Sequence, residues 1–165
     1  MKIKLELATA ADVADLIALH TAVVDRLRKD FGEGYWISRA TEKGTLFQMR
    51  RSSVYIARYR KKIIARVALS TRKPWAIDTK YFAPCKRPLY LTSMAVHPSV
   101  QRGGVGRQCI DQAVKIAKQW PADAIRLDAW EESVGAGDFY SKCGFTEVGR
   151  ATYRFAPLIY FEMML

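Results

Sequence analysis

The spacing of hydrophobic positions changes several times along the chain, and each change marks an element. Apolar residues alternate over Ile3–Leu7, the two-residue period of a half-buried strand. Thr9 stands three residues before Asp12, a capping-box-like helix start with Asp in place of Glu. Val13, Leu16, Ile17, His20, Val23, Val24, Leu27 and Phe31 then recur at helical spacing until "FGEG" breaks the run. A second, shorter helix is expected over Thr41–Arg50. Val54–Tyr59 and Ile63–Ser70 are rich in β-branched and aromatic residues. The polar "RKK" between them predicts an antiparallel hairpin.

Residues 71–88 carry Pro74, Pro84 and Pro88 with Trp75, Tyr81 and Phe82, and read as an irregular excursion rather than a core element. "LYLTSMAVHP" is a strand ended by Pro98. Cys109, Ile110, Ala113, Val114 and Ala117 form one apolar helical stripe, closed by Trp120–Pro121. "AIRLDAW" is a strand, Gly135–Lys142 a short helix stopped by Gly144, and "FTEVGRATYRF" and "LIYFEMML" are two final strands. The order β-α-α-β-β-β-α-β-α-β-β predicts one domain over residues 1–165, a mixed α/β sheet with helices on both faces.

Composition narrows the class. Half the residues are hydrophobic and 26% charged, as in a globular domain, and no apolar run approaches a membrane span of about 20 residues. The N-terminus lacks a signal-peptide core, which places the protein in the cytoplasm. Cys85, Cys109 and Cys143 are scattered, with no CxxC; Cys109 and Cys143 fall on apolar helix faces as small buried hydrophobes. His20 and His97 form no HxxxH pair, so no metal is expected. The net charge of +11 favours encounter with anionic ligands and leaves both a solvated basic surface and an anionic macromolecular partner open.

The candidate chemistry sits in "HPSVQRGGVGRQC", His97–Cys109, where a strand gives way to glycines and then a helix. The first-turn amides of a helix lack internal partners, and the helix dipole adds about half a positive charge there. Gly103, Gly104 and Gly106 leave that backbone open to a pyrophosphate, and Arg102 and Arg107 add charge. A Walker loop is excluded because Arg107–Gln108 follows Gly106 where GK[ST] is needed, and a dinucleotide fingerprint because Cys109 occupies the third glycine position. A ligand-free glycine turn stays open on this stretch alone.

A second segment adds to it. Gln101-Arg102-Gly103-Gly104-Val105-Gly106 matches Q/R-x-x-G-x-G/A, the preceding strand ends in V-x-P at Val96 and Pro98, and "FYSKCGF" supplies Phe139, Tyr140, Lys142, Gly144 and Phe145 about thirty residues later. In these motifs, and in element order over nearly its whole length, the chain resembles the GCN5-related N-acetyltransferase (GNAT) family. The resemblance implies a largely antiparallel central sheet with two central strands splayed, here Tyr90–His97 and Ala124–Trp130. It implies acetyl-CoA as co-substrate without a metal, and a primary amine of a small molecule or protein as acceptor, acetylated by direct attack in a ternary complex. The backbone of Met94 and Val96 and the run Gln101, Arg102, Gly103, Gly104, Val105, Gly106 and Arg107 would hold the cofactor, with Ser133 where the family often has asparagine. Ala95 faces the other way, into the core.

Tyr140 matches the family's acid, and its phenol, with an ordinary pKa of about 10, is protonated at neutral pH. The base stays open between Asp128, Glu131, Glu132 and a water chain, because the strand before the loop lacks the glutamate common in the family. Tyr35, Trp36, Trp75, Tyr81, Phe82, Trp130 and Tyr153 are candidates for the acceptor pocket, with ordinary packing expected for most. The positive charge favours an acceptor that also bears an anionic group. The alternatives are a non-catalytic acyl-CoA-binding module and a basic nucleic-acid-binding protein, the second without a recognition motif. The last strand fits either completion of the sheet or pairing across a homodimer.

Overall fold

A computed structural model of the chain describes residues 1–131 and 135–165. Among them, seven strands form one sheet: β1 (Leu5–Leu7), β2 (Ser53–Tyr59), β3 (Lys62–Ser70), β4 (Pro88–Val96), β5 (Ala124–Trp130), β6 (Thr146–Tyr153) and β7 (Ala156–Met164). Their order is β1-β2-β3-β4-β5-β7-β6. The α-helices are α1 (Val13–Phe31), α2 (Glu42–Arg51), α3 (Val105–Gln119) and α4 (Gly137–Lys142). The sheet is mixed and mostly antiparallel, and β4 runs parallel to β5 where Pro88–Tyr90 pairs with Ala124–Arg126. No helix among the described residues is long and apolar enough to cross a membrane.

The residues fall into two compact units: Met1–Leu69 with Ser93–Ala113, and Ser70–Thr92 with Val114–Leu165. In the first, Leu16 and Leu19 of α1 pack on Val54, Ile56, Ile63 and Ala68 of the β2–β3 hairpin. Asp12 Oδ2 accepts the Thr9 N–H at 2.7 Å, so the acidic half of the expected cap holds the entry to α1, after a 3-10 turn over Ala10–Asp12. Thr41 caps α2 by accepting the Gly44 N–H at 3.1 Å, which moves the first helical residue to Glu42.

β1 ends the sheet, so one row of its backbone groups has no strand beside it. Two glutamines of α3 fill that row. Gln108 Oε1 accepts the Ile3 N–H at 3.0 Å, and Gln108 Nε2 donates to Met1 O at 2.8 Å. One turn on, Gln112 Oε1 accepts the Leu5 N–H at 2.8 Å, and Gln112 Nε2 donates to Ile3 O at 3.1 Å. The regular strand therefore starts at Leu5 and not at Ile3, whose backbone bonds to side chains instead.

The β2–β3 turn is two residues, Arg60 and Lys61, at φ of 47° and 68°. The left-handed pair Arg154 and Phe155, at 47° and 69°, joins β6 to β7 in the same way. That takes both residues out of the strand expected over "FTEVGRATYRF"; the paired primed turn matches strand twist even without glycine.

In the second unit the 71–88 excursion contributes to the core, against expectation. Ile77 and Phe82 are 1% and 7% exposed and cluster with Tyr90, Leu158 and Tyr160. Proline spoils its periodicity, but hydrogen bonds from the sheet anchor it. Buried Arg126 donates from Nε to Glu162 Oε2 at 2.7 Å and from Nη2 to Ala83 O at 2.6 Å, and Glu162 Oε1 accepts the Ala83 N–H at 3.1 Å. The Tyr160 hydroxyl donates to Ala76 O.

Gln112→Ala removes two partners of the β1 backbone and is expected to lower unfolding stability by about 1–2 kcal/mol, read as a lower urea midpoint at unchanged slope. An unmoved midpoint would show that water replaces the side chain at no cost.

Candidate functional site

The predicted phosphate loop lies in the first unit. β4 ends at Val96, Pro98–Val100 makes a 3-10 turn, and α3 begins at Val105. His97 closes the first turn, its Nδ1 accepting the Ser99 N–H at 3.2 Å. Arg102 and Gly104 both take left-handed backbone, at φ of 63° and 75°, with Gly103 between them outside that region. Alternating hand turns successive N–H groups toward one side, the geometry of an anion-binding concavity. A Cβ on Gly104 would meet no heavy atom within 4 Å, so the approach to this backbone is open. The first regular helical bond is Gln108 N–H to Gly104 O at 3.1 Å, so the residues ahead of it form the first turn, whose N–H groups point outward along the helix axis.

The side chains of the loop divide by task. Val105 is 1% exposed and pins the first helical turn, so only its backbone can serve a ligand. Gln101 Nε2 donates to Val96 O at 2.9 Å and ties the loop to the end of β4. Arg107 Nε is 3.2 Å from Asp111 Oδ1, so part of its charge is already balanced.

On β4, the His97 N–H donates to Ile64 O of β3 at 2.8 Å. Strand alternation then points the backbone groups of Val96 and Met94 away from β3. Ala95 packs against the core cluster, as its position predicts. Ser93, just before them, has φ of 51°, a left-handed residue inside the strand.

Tyr140 lies in the second unit on α4 and is 8% exposed. Its ring centroid stands 5.3 Å from that of Phe139, 5.8 Å from Phe145 and 5.9 Å from Phe161. Burial first, and then the neighbouring Asp128 and Cys143, push the phenol above its ordinary pKa and keep it protonated. Asp128 on β5, paired across the ladder with Tyr160, is also shifted upward by burial, against a smaller opposing pull from its own backbone. Glu131 is exposed and ion-paired with Arg150, which Glu147 also holds at 2.7 Å. Glu132 and Ser133 lie outside the described residues.

A family model described as "Acetyltransferase (GNAT) family" matches residues 19–145. The chain belongs to the GNAT acetyltransferase family. A curated relative, the uncharacterized N-acetyltransferase YvbK of Bacillus subtilis (strain 168), is 34% identical over 55 residues, which spans 33% of this chain and 36% of that protein. A GCN5-related N-acetyltransferase from Rhodopseudomonas palustris superposes with a TM-score of 0.75 at 18% identity, covering 100% of this chain and 97% of that one. The structure of yncA from Salmonella typhimurium with its cofactor acetyl-CoA gives 0.70 at 13% identity, covering 98% and 93%. At such identities the likeness shows the GNAT fold.

Most of the aromatic candidates in this GNAT chain do packing work. Phe82 is core, and Tyr81, Trp130 and Tyr153 lie against the same cluster. Trp36 stacks edge-on with Tyr35 at 5.0 Å and Phe31 at 6.4 Å. Trp75 is 86% exposed. Arg66, which no sequence motif marks, is a buried cation in the otherwise apolar stretch "IIARVAL" of β3, bonded to Gln48 of α2. Its signal was that break in an apolar strand.

Burial lifts Asp128 above the ordinary carboxyl value of 3.8, so the folded state binds this proton more tightly than the unfolded chain does. The stability it lends is fully present below 3.8 and is lost as pH rises through the folded-state pKa. Asp128→Asn is therefore expected to unfold at a higher temperature than wild type at pH 7, with the gap closing as pH falls below 3.8. A gap that persists or widens in acid would contradict the burial account.

Proposed function

We propose that this GNAT chain transfers the acetyl group of acetyl-CoA to a primary amine by direct attack in a ternary complex. The observation that carries the reading is the open loop Arg102–Gly104, left-handed at its two ends, that leads into the first turn of α3. The N–H groups of that turn, the helix dipole and the Arg102 guanidinium suit a diphosphate. The Gly104 position leaves room for it, because nothing lies within 4 Å of a Cβ built there. The backbone of Met94 and Val96, directed away from β3, would bond the pantetheine arm as an added strand does. The presence of acetyl-CoA in the yncA structure supports the same donor.

The chemistry needs a base for the ammonium proton and an acid for the leaving thiolate. Asp128 takes the base's role: burial raises its proton affinity toward the working pH, whereas Glu131 is already committed to Arg150. Tyr140 takes the acid's role, its phenol kept protonated by the same burial. In the reaction the amine nitrogen forms the new C–N bond and the C–S bond breaks. Asp128 takes the ammonium proton before attack, Tyr140 gives its proton to the departing sulfur, and the second nitrogen proton returns to the Tyr140 oxygen as the amide forms.

Two experiments test the reading. Gly104→Asp and Gly104→Asn share a shape and both tolerate left-handed backbone, so their difference isolates charge at the loop. The aspartate variant is expected to bind coenzyme A at least about ten-fold more weakly than the asparagine variant by calorimetry. Equal affinities would remove the diphosphate from this loop. Tyr140→Phe is expected to keep coenzyme A affinity and to lower kcat about ten-fold or more. An unchanged kcat, with chemistry shown to be rate-limiting, would take Tyr140 out of the mechanism.

A further inference from the structure

Two buried side-chain nitrogens among the described residues have no hydrogen-bond partner, Trp36 Nε1 and Arg66 Nε. Both are donors, so both lack an oxygen, and Arg66 is also charged. It sits in the middle of β3 opposite Ile56 and is 7% exposed. Burial holds its proton affinity below that of a free guanidinium, yet arginine stays protonated at working pH. Among the described residues no carboxylate pairs with it. A buried cation without a counter-charge is strongly disfavoured, so the arrangement lacks an anion.

Its protein partner is neutral. Arg66 Nη2 donates to Gln48 Oε1 on α2, and Gln48 Nε2 donates to Ser93 Oγ on β4 at 2.6 Å. Each bond runs outward from donor to acceptor. The Ser93 oxygen is the last acceptor, which leaves its own proton to give. Ser93 is exposed and immediately precedes Met94, the first of the two residues assigned to the pantetheine arm. The relay thus begins on a buried charge and ends on a hydroxyl donor at the surface of β4.

We infer that Arg66, Gln48 and Ser93 form an oxyanion subsite for the acceptor, reading a carboxylate or phosphate carried by the amine that receives the acetyl group. The inference rests on the acetyl-transfer reading and names its substrate class. The Ser93 hydroxyl, donating at the end of a relay that starts on a buried cation, suits either oxyanion, and a net charge of +11 draws such acceptors in.

The test measures kcat/KM with acetyl-CoA for matched acceptors. One arm pairs each common α-amino acid with its amide, and the other pairs phosphoethanolamine with ethanolamine. At least one arm is expected to show a preference of about ten-fold or more for the charged member, and the arm that does so identifies the oxyanion. In Arg66→Met the ratio should fall to within about two-fold of unity, mainly through KM, and Arg66→Lys should restore part of it. Arg66→Met replaces an unpaired buried charge with an apolar chain of similar length, and its unfolding midpoint reports whether it folds. Ser93→Gly, which suits the positive φ and removes the hydroxyl, should reduce the ratio independently. Equal rates within both pairs in wild type, a ratio retained in all three variants, or coenzyme A binding with no member of either arm acetylated would overturn the subsite. Absence of coenzyme A binding would instead overturn the acetyl-transfer reading, and the subsite with it.

Discussion

A helix must begin with amides that it cannot satisfy, and in the function proposed for this chain that necessity serves a diphosphate at the start of α3. An unsatisfied N–H binds an anion well only when its direction is fixed in advance. Val105 fixes the helix end from inside the core, Gln101 ties the loop to Val96, and Gln108 and Gln112 bond the first turns of α3 to the outer edge of β1. The glutamines solve two problems with one set of bonds. They close a strand edge that would otherwise invite pairing with another chain, and they hold the helix whose amides face the loop.

Buried charge shows a second regularity. Arg126 and Arg66 are nearly equally hidden, at 5% and 7% exposure. Arg126 meets Glu162 at 2.7 Å and donates to Ala83 O, so its task is complete within the chain: it holds the 71–88 excursion on the sheet. Arg66 has a neutral amide where Arg126 has a carboxylate. The contrast separates an arginine paired within the chain from one with no carboxylate partner among the described residues, which is the basis of the proposed acceptor subsite. Asp128 is likewise desolvated, and burial raises its proton affinity.

The parts of the fold written in local pattern were legible before the structure. β-Branched and aromatic runs announced the β2–β3 hairpin, the stripe from Val13 and Leu16 to Phe31 announced α1, and three glycines between two arginines announced the loop at Gly104. The role proposed for Tyr140 comes from the resemblance of "FYSKCGF" and not from a pattern in its own surroundings. What escaped notice is made of bonds between distant residues. Gln108 and Ile3 are 105 positions apart, and Arg66 meets Gln48 across 18, and neither pairing leaves a periodic trace. The excursion misled for a related reason. Its prolines erase the period, while Ile77 and Phe82 still bury themselves because Arg126, Glu162 and Tyr160 hold the backbone around them.

The central claim is that loop amides and helix dipole grip a diphosphate. Calorimetric titration of the wild-type protein with coenzyme A and with pantetheine, which shares the thiol arm and lacks the nucleotide diphosphate, tests it most directly. The account predicts saturable coenzyme A binding and pantetheine binding weaker by about a hundred-fold or more. Equal affinities for the two, or no binding of coenzyme A at millimolar concentration, would contradict it.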